Sequence, residues 1–225
     1  MKKEFTEETR LKVYLVGNSY HYLDFIYNKI ILVKKIEDAD LVFFTGGEDV
    51  DPSLYGEKAH SYTSFNTTRD SVEIKAFNEA QKYKVPCYGT CRGSQFLCVM
   101  SGGKLVQHMS HAGKHLLMMQ DGVMNIKCMT NSLHHQMQYP FNLDKADYEV
   151  LGWSEGISPF NWMSPDKDIG IMKKEAEVVF YNKTNSLGFQ GHPEMLNASC
   201  LAVVTLNNYL LRLLNGTLGA QTATV

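Results

Sequence analysis

Several things are missing from this 225-residue sequence, and each absence narrows what the chain can be. No apolar run approaches the roughly 20 residues that a bilayer-crossing helix needs, so no membrane span is expected. The polar start Met1-Lys2-Lys3-Glu4-Phe5-Thr6-Glu7-Glu8 lacks the apolar stretch of a secretory signal. Neither charge sign is in excess: 22 Lys and Arg against 24 Asp and Glu leave a formal net charge of -2. That balance gives no electrostatic footprint for nucleic acid or a membrane surface. Five cysteines, an odd count without framework spacing, argue against a disulfide scaffold and for a reducing, cytoplasmic setting. No internal repeat, long linker or low-complexity tract appears. Length and composition fit one domain over residues 1–215, followed by a small, polar, frayed tail at 216–225.

What is present is alternation of strand and helix. Leu11-Lys12-Val13-Tyr14-Leu15-Val16 reads as a first strand, and apolar residues at helical spacing predict a helix from about Tyr20 to Ile31. Leu41-Val42-Phe43-Phe44 is a continuous apolar run closed by Thr45-Gly46-Gly47, as in a central parallel strand. A helix over 69–84, with Val72, Ala76, Phe77 and Ala80 on one face, stops before Pro86. A strand ending at Tyr88 then leads into a helix from Gly93 to about Met100. Between 104 and 190, short apolar stretches predict antiparallel strands, including 124–128, 169–172 and 178–181. A last helix is expected from about Ala198 to Leu214. The pattern is α/β, with βαβ units and a parallel, twisted sheet in the first half.

The sharpest local feature is Tyr88-Gly89-Thr90-Cys91-Arg92-Gly93-Ser94-Gln95. A cysteine between two glycines, at a strand-to-helix turn, sits over a helix amino terminus where free N–H groups and the dipole favour an anion. A thiolate there is the nucleophile. Far along the chain lies His192-Pro193-Glu194, in which Pro193 fixes the backbone so that His192 faces a nucleophile while Glu194 turns back to its other ring nitrogen. That is nucleophile, base and orienter. Gly47, at a strand end on the ligand-binding edge, and the N–H of Arg92 are candidate oxyanion donors.

Together these residues resemble the class I glutamine amidotransferase superfamily, and within it the γ-glutamyl hydrolase branch. The similarity runs from about residue 41 to 195. It rests on Gly46-Gly47-Glu48-Asp49-Val50-Asp51-Pro52-Ser53-Leu54-Tyr55-Gly56-Glu57, Arg69-Asp70 with Glu73, the cysteine turn, Gly102-Gly103-Lys104-Leu105-Val106-Gln107, Asn131-Ser132-Leu133-His134-His135-Gln136 and the His-Pro-Glu element. The resemblance implies a three-layer α/β sandwich, flavodoxin-like, with a mostly parallel central sheet and additional antiparallel strands. It implies that Cys91 attacks a γ-glutamyl amide, that His192 protonates the departing amine and then activates water, and that Glu194 supports the imidazolium. Gln95, Ser132, Leu133 and His134 correspond to the segments that hold the glutamyl group. Arg69 and Asp70 read as fixing the loop after Tyr55 rather than touching substrate. Gly191 stands where many relatives carry an aromatic residue, implying a wider pocket. The small-molecule substrate that the resemblance implies is glutamine or a γ-glutamyl amine; a separate synthetase could receive the ammonia, and an oligomer is compatible with the sequence. No cofactor is implied.

Blander readings stand beside these. Cys87, Cys98, Cys128 and Cys200 sit in apolar contexts and read as inert core residues. His108, His111 and His115 invite a metal reading, joined by His134 and His135. Their H-x2-H-x3-H spacing matches no usual zinc pattern, and no metal is expected. Asp49 and Asp51 read as turn caps rather than a calcium loop. A non-catalytic regulator on the same fold is the alternative from a different functional class.

Overall fold

Leu41-Val42-Phe43-Phe44 and Cys87-Tyr88-Gly89-Thr90 are buried along their whole length because they lie side by side in a sheet covered on both faces. The computed structural model describes residues 3–17, 19–122 and 124–219. Its first half contains β1 (Leu11–Val16), β2 (Ile30–Leu32), β3 (Leu41–Phe44), α1 (Thr67–Tyr83), β4 (Cys87–Thr90) and α2 (Arg92–Met100). Then come β5 (Lys104–Val106), β6 (His108–Met109), β7 (Gly113–Asp121), β8 (Met124–Ser132), β9 (Met137–Tyr139) and β10 (Tyr148–Ser154). The chain continues through β11 (Asn161–Ser164), β12 (Lys167–Asp168), β13 (Glu175–Tyr181), β14 (Ser186–Phe189) and α3 (Leu201–Leu214).

Nine strands form one sheet in the order β2-β1-β3-β4-β14-β13-β10-β7-β8. Pairing is parallel from β2 to β14 and antiparallel from β14 to β8. Period-two alternation sorts β3 between the faces. Val42 and Phe44 pack with Ala76, Phe77 and Ala80 of α1 and Phe96 and Leu97 of α2. Leu41 and Phe43 pack with Ala202, Val203, Leu206 and Tyr209 of α3. The result is a three-layer α/β sandwich with the antiparallel strands at one side. Two small sheets, β12-β11-β6 and β5-β9, stand beside it. No helix among the described residues is long and apolar enough to cross a membrane.

Four expectations need correction. Residues 20–31 form only a 3-10 turn, Tyr20–Leu23, before β2. The buried Asn28 amide donates to the carbonyls of Thr6 (2.7 Å) and Thr9 (2.8 Å), tying the segment to the preceding chain, and Ile30-Ile31 pair with β1. On α1, Val72 is 57% exposed while Asp70 and Glu73 are buried, because both carboxylates pair with the buried Arg92. The strand expected at 169–172 is replaced by a turn: Asp168 Oδ1 accepts from the N–H groups of Asn161 (3.1 Å) and Gly170 (2.8 Å), and Gly170 takes φ +67°. Finally, α3 starts at Leu201, since Asn197 Oδ1 takes the Ser199 N–H at 2.9 Å in a local turn. Of the tail, residues 220–225 lie outside the described residues, and Leu218 is buried in the core beneath α3.

Parallel pairing decides where the loops emerge. β3, β4 and β14 are neighbours, with Phe44 opposite Gly89 and Phe189 opposite Thr90. The segments that follow carry Gly47, Cys91 and His192 out at one sheet edge.

Candidate active site

Cys91 is the N-cap of α2 and takes φ 53°, ψ -114°, a region L-residues rarely occupy. Such a conformation costs roughly 1–3 kcal/mol and persists only where its surroundings fix it. Here they do. The Cys91 N–H donates to Phe189 O at 2.9 Å, and the Cys91 carbonyl accepts from Ser94 N (3.0 Å), Gln95 N (3.2 Å) and Ser94 Oγ (2.7 Å). The flanking glycines are dictated by close approach. A side chain at Gly89 would run into the Gly93 carbonyl, and one at Gly93 into the Phe44 carbonyl.

His192 Nδ1 lies 2.7 Å from Glu194 Oε1, and Cys91 lies close enough to act on the imidazole. Burial pushes this histidine's pKa down, but the bonds and charges of Cys91 and Glu194 outweigh it and raise the pKa to about 10. The backbone of His192 is held by Asn131, whose Oδ1 accepts its N–H and whose Nδ2 donates to its carbonyl. Tyr22, from the 3-10 turn after β1, lies 6.1 Å from the imidazole between ring centroids. Its phenol pKa is raised, first by burial and then by the Cys91 and Glu194 charges. The predicted residues Cys91, His192 and Glu194 are therefore brought together.

Gly47, at φ +147°, lies in a conformation that favours glycine, and a Cβ there would overlap the Arg69 guanidinium. Arg69 in turn donates to the carbonyls of Thr45 (3.2 Å) and Gly46 (2.8 Å), fixing the strand end. Arg92 opens α2, so its N–H belongs to the helix's first turn, whose donors lack intrahelical acceptors. Its side chain points into the protein, paired with Asp70 and Glu73 and donating from Nε to Glu48 O at 3.0 Å. Burial lowers its pKa to about 9. Asp70 also accepts the Asp51 N–H at 3.2 Å, which ties the 48–51 loop to the same network.

A cavity of about 230 Å³ opens between Cys91, Gln95, Gly47, Glu48, Asp49 and the 133–136 segment. Gln95 lines it and donates to Gln136 O at 2.9 Å; His134 Nδ1 contacts the same carbonyl at 2.8 Å. Burial drives His134 down to about 3, so it is a neutral imidazole. Leu133 lines the cavity with an exposed side chain. Ser132 is not among the lining residues; it is buried against His111. Nor does Gly191 widen the cavity. A Cβ there would press on Asn131 O, Phe189 and Thr130, so the glycine marks a close crossing of two segments.

Sequence reasoning missed Tyr22, assigned to a helix that does not form, and the anchoring role of Asn131. It also passed over Glu175 and Glu177, which meet His111 and His115 behind the 132–134 segment. A signal for the glutamates was available: two acids two residues apart in an otherwise apolar strand. The four remaining cysteines lie apart from this site. Burial pushes Cys87 and Cys98 up to about 12 and Cys128 to about 11, while Cys200 is half-buried.

Comparison with known proteins agrees with this architecture. Residues 25–144, just over half of the chain, match the Peptidase C26 family. Protein NtpR of Enterococcus hirae is 27% identical over 188 residues, covering 73% of this chain and 70% of that protein. The glutamine amidotransferase-like protein YvdE of Lactococcus lactis is 32% identical over 120 residues, 44% of this chain and half of that protein. A glutamine amidotransferase from Thermotoga maritima superposes with a TM-score of 0.55 over 96% of this chain and all of its own, at 14% identity. The glutaminase domain of Trypanosoma brucei CTPS gives 0.55 over 96% of each chain, at 12% identity. At these identities the structures speak to fold alone. The family match shows that this chain belongs to the Peptidase C26 family, within the class I glutamine amidotransferase-like superfamily.

Proposed function

We propose that the chain is a cysteine-dependent hydrolase of γ-glutamyl amides, acting on glutamine or a γ-glutamyl amine. The observation that carries this reading is the Cys91 elbow, with the His192 imidazole close to Cys91 and its Nδ1 at 2.7 Å from Glu194 Oε1. The Cys91 sulfur adds to the amide carbon, and the carbonyl oxygen becomes an oxyanion facing the N–H groups of Gly47 and Arg92. Collapse breaks the C–N bond as the His192 imidazolium gives its proton to the leaving nitrogen, so ammonia or amine departs and a γ-glutamyl thioester remains on Cys91. Neutral His192 then takes a proton from water, whose oxygen attacks the thioester carbon. Glutamate leaves and the thiol is restored. Gln95, Leu133 and His134 are the residues set to hold the glutamyl end in the cavity.

The test is glutamate release from glutamine and from γ-glutamyl amines by the purified chain and by Cys91→Ala. Turnover without a partner, abolished in the variant, supports the hydrolase. Silence on glutamine until a synthetase is added identifies an ammonia-supplying subunit instead. Turnover retained in Cys91→Ala overturns the mechanism.

A further inference from the structure

Behind the 132–134 segment, and separate from Cys91, lies a buried polar cluster. His111 and His115, before and within β7, face Glu175 and Glu177 from β13. His115 Nε2 lies 2.8 Å from Glu177 Oε1, and His111 Nε2 lies 3.2 Å from the same oxygen and 3.1 Å from Glu175 Oε2. The two carboxylate side chains are 0% and 1% exposed. Ser154 Oγ sits 3.1 Å from an oxygen of each.

The Ser132 hydroxyl donates its single hydrogen to the His111 carbonyl, so towards His111 Nδ1, at 3.2 Å, it offers only lone pairs. Nδ1 must therefore carry the imidazole hydrogen. In the neutral ring this leaves a bare lone pair on Nε2, aimed at two carboxylates that are also lone-pair bearers. That contact is repulsive unless something positive stands between them, or the Ser154 hydroxyl, 3.2 Å from Nε2, turns its single hydrogen to the ring and leaves both carboxylates without it. Two buried carboxylates call for two positive charges. Either both imidazoles are protonated, or one divalent cation takes the place of both protons.

We propose that His111 Nε2, His115 Nε2 and Glu177 bind a divalent transition metal of the zinc type. The geometry admits either, and two further observations favour the cation over two protons. The three ligand atoms lie within 4.8 Å of one another, and the 2.8 and 3.2 Å separations, which also suit hydrogen bonds, need widen only slightly to reach the roughly 3.3 Å between donors on a tetrahedral zinc with bonds of about 2.0–2.1 Å. Glu177 Oε2 is buried and has no hydrogen-bond partner among the described residues, so the carboxylate keeps an unused buried acceptor. The Ser132 hydroxyl against Nδ1 holds a ligating imidazole in the tautomer with its Nε2 lone pair free. Two imidazoles and a carboxylate, without thiolate, suit zinc, cobalt or nickel better than calcium or magnesium. The ion would tie β7 to β13 and, through Ser132, set the register of the Leu133–Gln136 segment that lines the Cys91 cavity. Its role is positional, since none of its ligands lines that cavity.

The test uses the purified full chain. Elemental analysis after growth with zinc is expected to give about one equivalent per chain, with His115→Ala and Glu177→Ala each reduced at least tenfold and Cys91→Ala unchanged. Cobalt loading of the wild-type chain reads the donor set even if those variants fail to fold. Visible ligand-field bands without a thiolate charge-transfer band are expected. A zinc-supplied chain that folds and carries no stoichiometric metal overturns the proposal in favour of a doubly protonated histidine pair. So does a thiolate charge-transfer band, or full occupancy in folded His115→Ala.

Discussion

Asn131 grips His192 by both of its backbone groups: Oδ1 accepts the His192 N–H at 2.8 Å, and Nδ2 donates to the His192 carbonyl at 2.9 Å. This paired contact joins the end of β8 to the start of the His-Pro-Glu turn, two segments 61 residues apart. Glu194 fixes the imidazole from the ring side, so the position of His192 is set independently through its side chain and its backbone.

Asn131→Ala removes the backbone grip while leaving Cys91, His192 and Glu194 in place. Displacing a catalytic base by about 1 Å can cost on the order of 100-fold in rate. We therefore expect the variant's kcat for glutamate release to fall about 10- to 100-fold with KM within about threefold of wild type. Steady-state kinetics checks this. A change confined to KM would show that Asn131 serves substrate binding.

How far the sequence carries depends on how local the cause is. The Cys91 turn was legible because both of its glycines are demanded by neighbours in the immediate turn and the adjacent strand. The His192-Pro193-Glu194 element was legible because Pro193 and two-residue spacing bring the carboxylate to the ring. Nothing in the neighbourhood of Asn131 says that its partner lies in the last quarter of the chain. The 20–31 segment failed for a related reason: its apolar spacing is helical, but the buried Asn28 amide binds carbonyls near the amino terminus. On α1, periodicity placed Val72 inside. The helix instead turns Asp70 and Glu73 inward, because Arg92, one element away, has to be neutralised. Ser132 was expected at the substrate and serves His111 instead.

The cysteines differ in a way that labelling can read. Cys87 and Cys98 are fully buried and pushed up to about 12, and Cys128 to about 11, so at neutral pH they carry little thiolate. Cys91 instead lies close to the His192 imidazole and helps raise its pKa to about 10. A glutamine-like electrophile is expected to modify Cys91 at least tenfold faster than any of these three. Peptide mass spectrometry after limited labelling is the check; primary modification at Cys87 or Cys128 would break the assignment.

Glu194→Gln isolates charge from hydrogen bonding, since the amide oxygen can still accept from Nδ1. In the folded chain the pKa of His192 is raised to about 10, against an unfolded value of about 6.5. A raised histidine pKa stabilises the fold fully below the unfolded value, and this contribution is lost as pH rises through the folded one. The gap in Tm between wild type and Glu194→Gln should therefore be widest from about pH 5 to 6.5 and close as the pH approaches about 10. Thermal unfolding across that range measures it. A gap that widens with pH would place the stabilised charge on a group other than the imidazolium.

Glu73 tests the frame that holds the loops. Its Oε1 accepts from Arg69 Nε at 2.9 Å, its Oε2 pairs with Arg92, and its side chain is 2% exposed. Glu73→Gln leaves two guanidinium groups competing for Asp70, and Arg92 has no route to water, because it is 1% exposed. Breaking a buried pair by removing one charge typically costs about 3–5 kcal/mol, far more than losing a surface pair. Denaturant unfolding should show a loss of that size with an unchanged m-value. The damage should also reach the chemistry while the chain is still folded. Arg92 is the first residue of α2, directly after Cys91, and Arg69 caps the carbonyl of Gly46, directly before Gly47. Both guanidinium groups thus sit next to a residue whose backbone borders the cavity. Under conditions where Glu73→Gln is fully native by far-UV circular dichroism, its kcat should fall further than that of Asp147→Asn. That control removes a carboxylate from an exposed pair with Lys183, whose loss costs little. Equal kcat values would confine Glu73 to stability.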